Sequence, residues 1–179
     1  MRVDAAHTAN VVGAFALLLA DRMTDEVGAA ATQAPSGAAA LSALRHFLPA
    51  DPTVDLVRQV LGLTHSGTVR LVDRLEAAGQ VRRGPGPDGR STTVHLTAAG
   101  RRAADRVTAA RATVLHDALA VLDPAERRQL DDLAGRVLLG MRRGPGATRW
   151  TCRLCDTATC GRLDGRCPVA GPDPPTFSG

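Results

Sequence analysis

The stretch Leu61-Gly62-Leu63-Thr64-His65-Ser66-Gly67-Thr68-Val69-Arg70-Leu71-Val72-Asp73-Arg74-Leu75-Glu76-Ala77-Ala78-Gly79 decides how the rest of the chain is read. Thr64 is a helix N-cap residue, and Gly79 stands where a C-terminal cap needs a left-handed backbone. Between them, Thr68, Leu71, Val72 and Leu75 recur at i, i+3, i+4 and i+7, so they share one core-facing stripe. Ser66, Gly67, Val69, Arg70 and Arg74 are thereby turned to or near the opposite side, and His65, which starts the helix, is a candidate phosphate contact. That side offers hydroxyl, methyl and guanidinium groups, the chemistry used to read a DNA major groove. A solvated amphipathic helix would carry the same pattern, so the neighbours must decide.

Working outward, Thr53 caps a short helix over Val54–Leu61 that stops at Gly62. On the other side the periodicity changes. Val81-Arg82-Arg83 reads as a strand, and Gly84-Pro85-Gly86-Pro87-Asp88-Gly89 is turn chemistry. The β-branched run Arg90-Ser91-Thr92-Thr93-Val94-His95-Leu96 reads as the returning strand. Helix, tight turn, helix and hairpin is the order of a winged helix-turn-helix. The hairpin tip cannot pack a core, yet it presents Arg90 with Asp88 two residues before it. An Arg on a projecting loop suits a narrow minor groove, steadied by a carboxylate. Arg82 and Arg83 at the hairpin base suit phosphate contact.

These residues resemble the MarR-type (multiple antibiotic resistance regulator) transcription factors. Residues 61–79 are similar to that family's recognition helix. Asp88-Gly89-Arg90, followed by Val94-His95-Leu96-Thr97-Ala98-Ala99-Gly100, resembles its wing and the start of its next helix. The match is close over about 61–100, and helix order agrees over roughly 5–143. The short helix Val54–Leu61 departs from it, lacking the usual small, acidic composition. The resemblance implies a homodimer whose first and last two helices interdigitate, placing two winged heads on a pseudo-palindromic double-stranded DNA operator. It also implies a repressor and, in principle, a small-molecule effector.

The flanks read as helices. Ala5–Ala31 is one long Ala-rich helix, and a second runs from Pro35 through Leu48. Thr97 caps another to about Leu122, and Asp123-Pro124-Ala125-Glu126 opens a last one with N-cap, proline and capping-box Glu in order. The fold class is mainly α with a small β-hairpin wing. The expected divisions are 1–35 and 101–146 for dimerisation, 36–100 for DNA binding, 147–170 for a Cys-rich motif and 171–179 for a disordered tail. The stripes on the flanking helices are too wide for one small head to cover.

Composition supports packed helices. The 179 residues include no Ile and no Tyr, so any core is Leu, Val and Ala. All 22 basic side chains are Arg, each a planar fork able to make paired contacts. The net charge of +4 is uneven: residues 64–106 hold eight Arg against four acids, whereas 1–63 hold four against six. The longest clean apolar run, residues 11–20, is too short to cross a bilayer. It follows a leader whose Arg2 is offset by Asp4, unlike a signal peptide. The chain therefore reads as cytoplasmic, without a membrane partner. One Trp and no Tyr argue against stacking on single strands and for duplex DNA.

Near the end, Cys152, Cys155, Cys160 and Cys167 are spaced C-x2-C-x4-C-x6-C. Four thiolates satisfy tetrahedral zinc, so the spacing predicts a four-cysteine metal site, with zinc first and an iron–sulfur cluster as the alternative. A reversible thiol switch is the third chemistry open to it, favoured by nearby Arg. No catalytic constellation stands out, and the chain is not expected to be an enzyme. The rival reading is a winged-helix protein-interaction module, with a structural zinc knuckle and incidental DNA affinity.

Overall fold

The computed structural model describes residues 4–86, 89–141, 151–162 and 164–169. The elements are α1 (Ala5–Ala31), α2 (Pro35–His46), α3 (Val54–Leu61), α4 (His65–Ala77), β1 (Val81–Pro85), β2 (Thr92–Leu96), α5 (Ala98–Leu119) and α6 (Pro124–Met141). The fold is mainly α with one antiparallel hairpin, as expected. Asp88 and the chain beyond Gly171 lie outside the described residues.

Local chemistry sets most element ends. Thr53, Thr64 and Thr97 each accept a backbone N–H through the side-chain oxygen, from Leu56, Gly67 and Gly100 at 3.2, 3.1 and 3.0 Å. Asp123 closes a full capping box. Its Oδ1 accepts from the Ala125 and Glu126 amides, and its own N–H donates to Glu126 Oε2 at 2.9 Å. Gly62 ends α3 at a φ of 63°, in the left-handed region that glycine enters without strain.

Several ends differ from expectation: α5 stops at Leu119 rather than about Leu122, where the Ala120 and Leu122 amides turn to the Asp117 and Leu119 carbonyls, and β2 begins at Thr92 rather than Arg90. The second helix stops at His46 rather than Leu48, because the Phe47 and Leu48 amides both turn back to the Ala43 carbonyl ahead of Pro49. The first strand runs through Gly84 and Pro85, which read as turn. Those two residues pair with Thr93 and Thr92 in the register Val81↔Leu96 to Pro85↔Thr92. Pro85 is tolerated because it closes the strand on a two-stranded sheet. Pro52 also receives the Val94 N–H at 2.9 Å, tying the segment before α3 to the hairpin.

The core gathers Leu41 from α2, Val57 from α3, Leu71, Val72 and Leu75 from α4, Val81 and Val94 from the hairpin, and Val107 from α5. Ala31, Ala38, Ala40, Ala103 and Ala104 are buried where α1, α2 and α5 meet, since small side chains let the backbones approach. The stripe read from the sequence as core-facing on α4 is therefore buried in full. By contrast, Val11, Val12, Phe15, Leu17 and Leu18 of α1 are exposed, as are Leu133, Val137, Leu138 and Leu139 of α6.

Candidate nucleic-acid interface and cysteine tail

With Thr68, Leu71, Val72 and Leu75 packed inward, α4 leaves His65, Ser66, Arg70 and Arg74 exposed on its outer side, with Gly67 and Val69 half-exposed between them. Thr64 anchors the start of this face: its hydroxyl accepts the Gly67 N–H, and its carbonyl accepts the Thr68 hydroxyl at 3.0 Å. A Cβ on Gly67 would sit 3.0 Å from that Thr64 oxygen, so the residue is small for the sake of its own cap. The face is a projecting row of donors on a rigid support, as a groove-reading helix needs.

The hairpin treats its two basic residues differently. Arg82 is exposed opposite His95, on the face that borders a polar cleft of about 270 Å³ shared with Arg45 and Arg101. Arg83 points back to α4. Its amide donates to Glu76 Oε1 at 3.1 Å, its Nη1 pairs with Glu76 Oε2, and its Nη2 pairs with Asp73 Oδ1 at 2.6 Å. Arg83, read from the sequence as a phosphate contact, is here drawn into an internal clamp that fixes the wing against α4. Sequence reading missed it because the partners lie seven and ten residues upstream across a turn. Arg101, which donates to the Leu96 carbonyl at 3.0 Å, was also missed; a basic residue at the start of α5 carries no local signal. Arg90 is exposed near the hairpin tip.

A second close contact joins the hairpin to α5. Gly100 lies against the Gln80 carbonyl, which accepts from the Thr97 amide at 3.0 Å and the Thr97 hydroxyl at 3.2 Å. The Leu-Thr-x-x-Gly step is therefore a backbone-on-backbone junction. Its Gly is dictated by space.

This arrangement of six helices and a wing matches solved structures of known regulators. The chain has the MarR fold. A MarR family protein from Bacillus stearothermophilus superposes with a TM-score of 0.66 at 23% identity, covering 77% of this chain and 95% of that one. RV1404 from Mycobacterium tuberculosis gives 0.66 at 21%, covering 80% and 98%. Apo MarR from E. coli gives 0.57 at 22%, covering 70% and 96%. No family model matches the sequence, and no curated relative matches it. These solved structures account for 70–80% of this chain.

The described part of the cysteine tail folds back on the MarR-fold head. The Thr157 hydroxyl donates to the His46 carbonyl at 2.7 Å, and His46 Nδ1 lies 3.9 Å from Asp156. Cys152 is buried with Ala43, Phe47 and Val60, and the Arg162 guanidinium lies 5.2 Å from the Phe47 ring centre. A Cβ at Gly135 of α6 would meet Pro168 at 3.2 Å, so the tail also touches the last helix. Cys155 packs against the cluster that holds Cys152. Hydrogen bonding to Cys155, then burial, pushes the Cys152 thiol up. The same bond is the largest cause that pulls Cys155 down to about 6, helped against burial by Arg111, Arg153 and Arg162. Cys160 is pushed up by burial, and its thiol faces the Thr157 carbonyl at 3.8 Å. Among the described residues no three His, Cys, Asp or Glu side chains converge as ligands of one ion.

Proposed function

We propose that this protein is a homodimeric, sequence-specific double-stranded-DNA-binding transcriptional repressor. The observation that carries the reading is the outer face of α4. Ser66, Val69, Arg70 and Arg74 project there from a fully packed inner stripe, beside a hairpin that Arg83 clamps to the same helix. A recognition helix and a wing with a fixed mutual angle can engage a major groove and the adjoining backbone together. The solved structures that share the fold include proteins described as transcriptional regulators, which supports the same reading.

Homodimerisation is supported by the apolar residues left exposed on α1 and α6. Five on α1, from Val11 to Leu18, are 46–69% exposed, too much apolar surface on one helix end to face water unpartnered. A two-fold dimer would present two α4 helices to half-sites about one turn of DNA apart. An apolar cavity of about 250 Å³, between α1, α2 and the tail, has the lining a small-molecule effector would need. Zinc on the four cysteines would need both Cys160 and Cys167 brought together with Cys152 and Cys155. Elemental analysis of protein purified without air reads it directly.

The test is binding by variants to a duplex selected by the wild-type protein from a random pool. Arg70→Ala should lose about 1–3 kcal/mol on the selected duplex and little on random DNA, the mark of base readout. Arg82→Ala should weaken both alike. Arg90→Ala should weaken binding while leaving the dimer intact. Unchanged affinity in all three variants would refute the proposal.

A further inference from the structure

The two residues between Cys152 and Cys155 are Arg153 and Leu154, and both line the apolar cavity with Met23, Val27 and Leu61. The segment is a tight turn: the Cys155 amide donates to the Cys152 carbonyl at 2.9 Å. Such a turn holds its first and fourth Cα atoms within about 7 Å, inside the span a disulfide bridges. Cys155 packs against the same cluster that buries Cys152, so the turn already brings both side chains to one place. Cys155 is the more accessible of the two, while Cys152 is seated on Phe47 with Arg162 Nη1 3.9 Å from its sulfur. Cys160 is turned to the Thr157 carbonyl instead.

We propose that Cys152 and Cys155 form a dithiol site that a low-molecular-weight disulfide oxidises, closing a ring around Arg153 and Leu154 and fixing them as the cover of the apolar cavity. In the first step the Cys155 thiolate attacks one sulfur of R–S–S–R. A mixed disulfide forms, the S–S bond of R–S–S–R breaks, and the leaving R–S⁻ takes a proton from water. Cys152 then gives up its proton to solvent, and its sulfur attacks that of Cys155 and expels the second thiolate, which is protonated in turn. Two protein thiols become one disulfide, and R–S–S–R is reduced to two R–SH. The proposal is independent of the DNA-binding reading, because every group in it belongs to the tail and the cavity it covers.

The sequence supplies a direct test, since trypsin cuts after Arg153 and separates the two cysteines. The full-length protein is equilibrated without air in mixtures of reduced and oxidised glutathione, its free thiols are blocked, and it is digested. The expected product is the Cys152 peptide linked to the peptide spanning 154–162, in the wild type and in Cys160→Ser but not in Cys155→Ser. Trypsin should also cut the folded oxidised protein at Arg153 about fivefold more slowly than the reduced protein, because the ring restrains local opening. The redox assignment is overturned by a Cys152 link to Cys160 or Cys167, by a glutathione adduct that persists on Cys155, or by no oxidation. A bound zinc that withholds both thiols from alkylation overturns it as well. A disulfide that forms without slowing cleavage overturns the covering role.

Discussion

Replacing Gly100 by Ala tests the junction that aims the wing. A Cβ built there would lie 1.8 Å from the Gln80 carbonyl oxygen, 2.8 Å from its carbon and 3.1 Å from Leu96 Cδ2. Carbon and oxygen do not approach closer than about 3.2 Å without strain, so the Gln80 peptide must retreat by about 1.4 Å. That oxygen accepts from the Thr97 amide and hydroxyl, so the retreat weakens two hydrogen bonds as well as the packing. Overpacking at about 1–3 kcal/mol, with about 1 kcal/mol for each weakened bond, gives a loss near 4 kcal/mol. For a chain of this size that lowers Tm by about 8–16 °C. Thermal unfolding followed by circular dichroism reads it. Gly79→Ala is the control: its φ is +66° and nothing lies within 4 Å of the added carbon, so its loss should be only about 1 kcal/mol. A Gly100→Ala protein melting within 2 °C of the wild type, or no worse than Gly79→Ala, would refute the packing argument.

Three further outcomes follow from the same structure. Glu76→Gln leaves Arg83 with Asp73 alone. Because these groups are partly exposed, stability should fall by only about 1 kcal/mol, while affinity for a selected duplex falls more than stability does; equal affinity would show that the wing angle does not depend on the clamp. Leu18→Asp places a carboxylate on the exposed apolar end of α1; at about 3 kcal/mol for a charge buried without a partner, the dimer Kd should rise about 100-fold in sedimentation equilibrium, and an unchanged value would remove α1 from the interface. His46 is held below its ordinary 6.5, chiefly by burial, with Asp156 opposing. The unfolded chain thus takes up that proton first, so His46 contributes stability that is whole above about pH 6.5 and drains away as pH falls toward its folded value. Urea titrations at pH 7.5 and 5.5 should show a drop in wild type that is smaller in His46→Asn, and identical drops would exclude His46.

What the sequence disclosed and what it withheld divide along the range of the forces involved. Thr53, Thr64, Thr97 and Asp123 were readable as caps because each acts on amides two or three residues away. The α4 stripe was readable because helical period alone puts Thr68, Leu71, Val72 and Leu75 on one side. The Arg83 clamp was not legible because its pairing with Asp73 and Glu76 depends on how the hairpin folds against α4. The reason for Gly100 was hidden in the same way, since it answers to a carbonyl twenty residues earlier in the chain. In the tail, the Cys spacing was legible, but its seat on Phe47 and its link to His46 join segments more than a hundred residues apart. The first strand ran longer than read because Gly84 and Pro85, turn formers by composition, were captured by Thr93 and Thr92 across the sheet, while the second began two residues later than read, at Thr92.

The central claim is sequence-specific binding of duplex DNA by paired α4 helices, and titration of one selected duplex against its scrambled counterpart over a range of salt concentrations tests it most directly. The account predicts a selected site with two-fold character, two chains per duplex, and a log–log salt slope of about −5 if about six phosphates are contacted. A random pool that yields no enriched site, or equal binding of selected and scrambled duplexes at physiological salt, would contradict it.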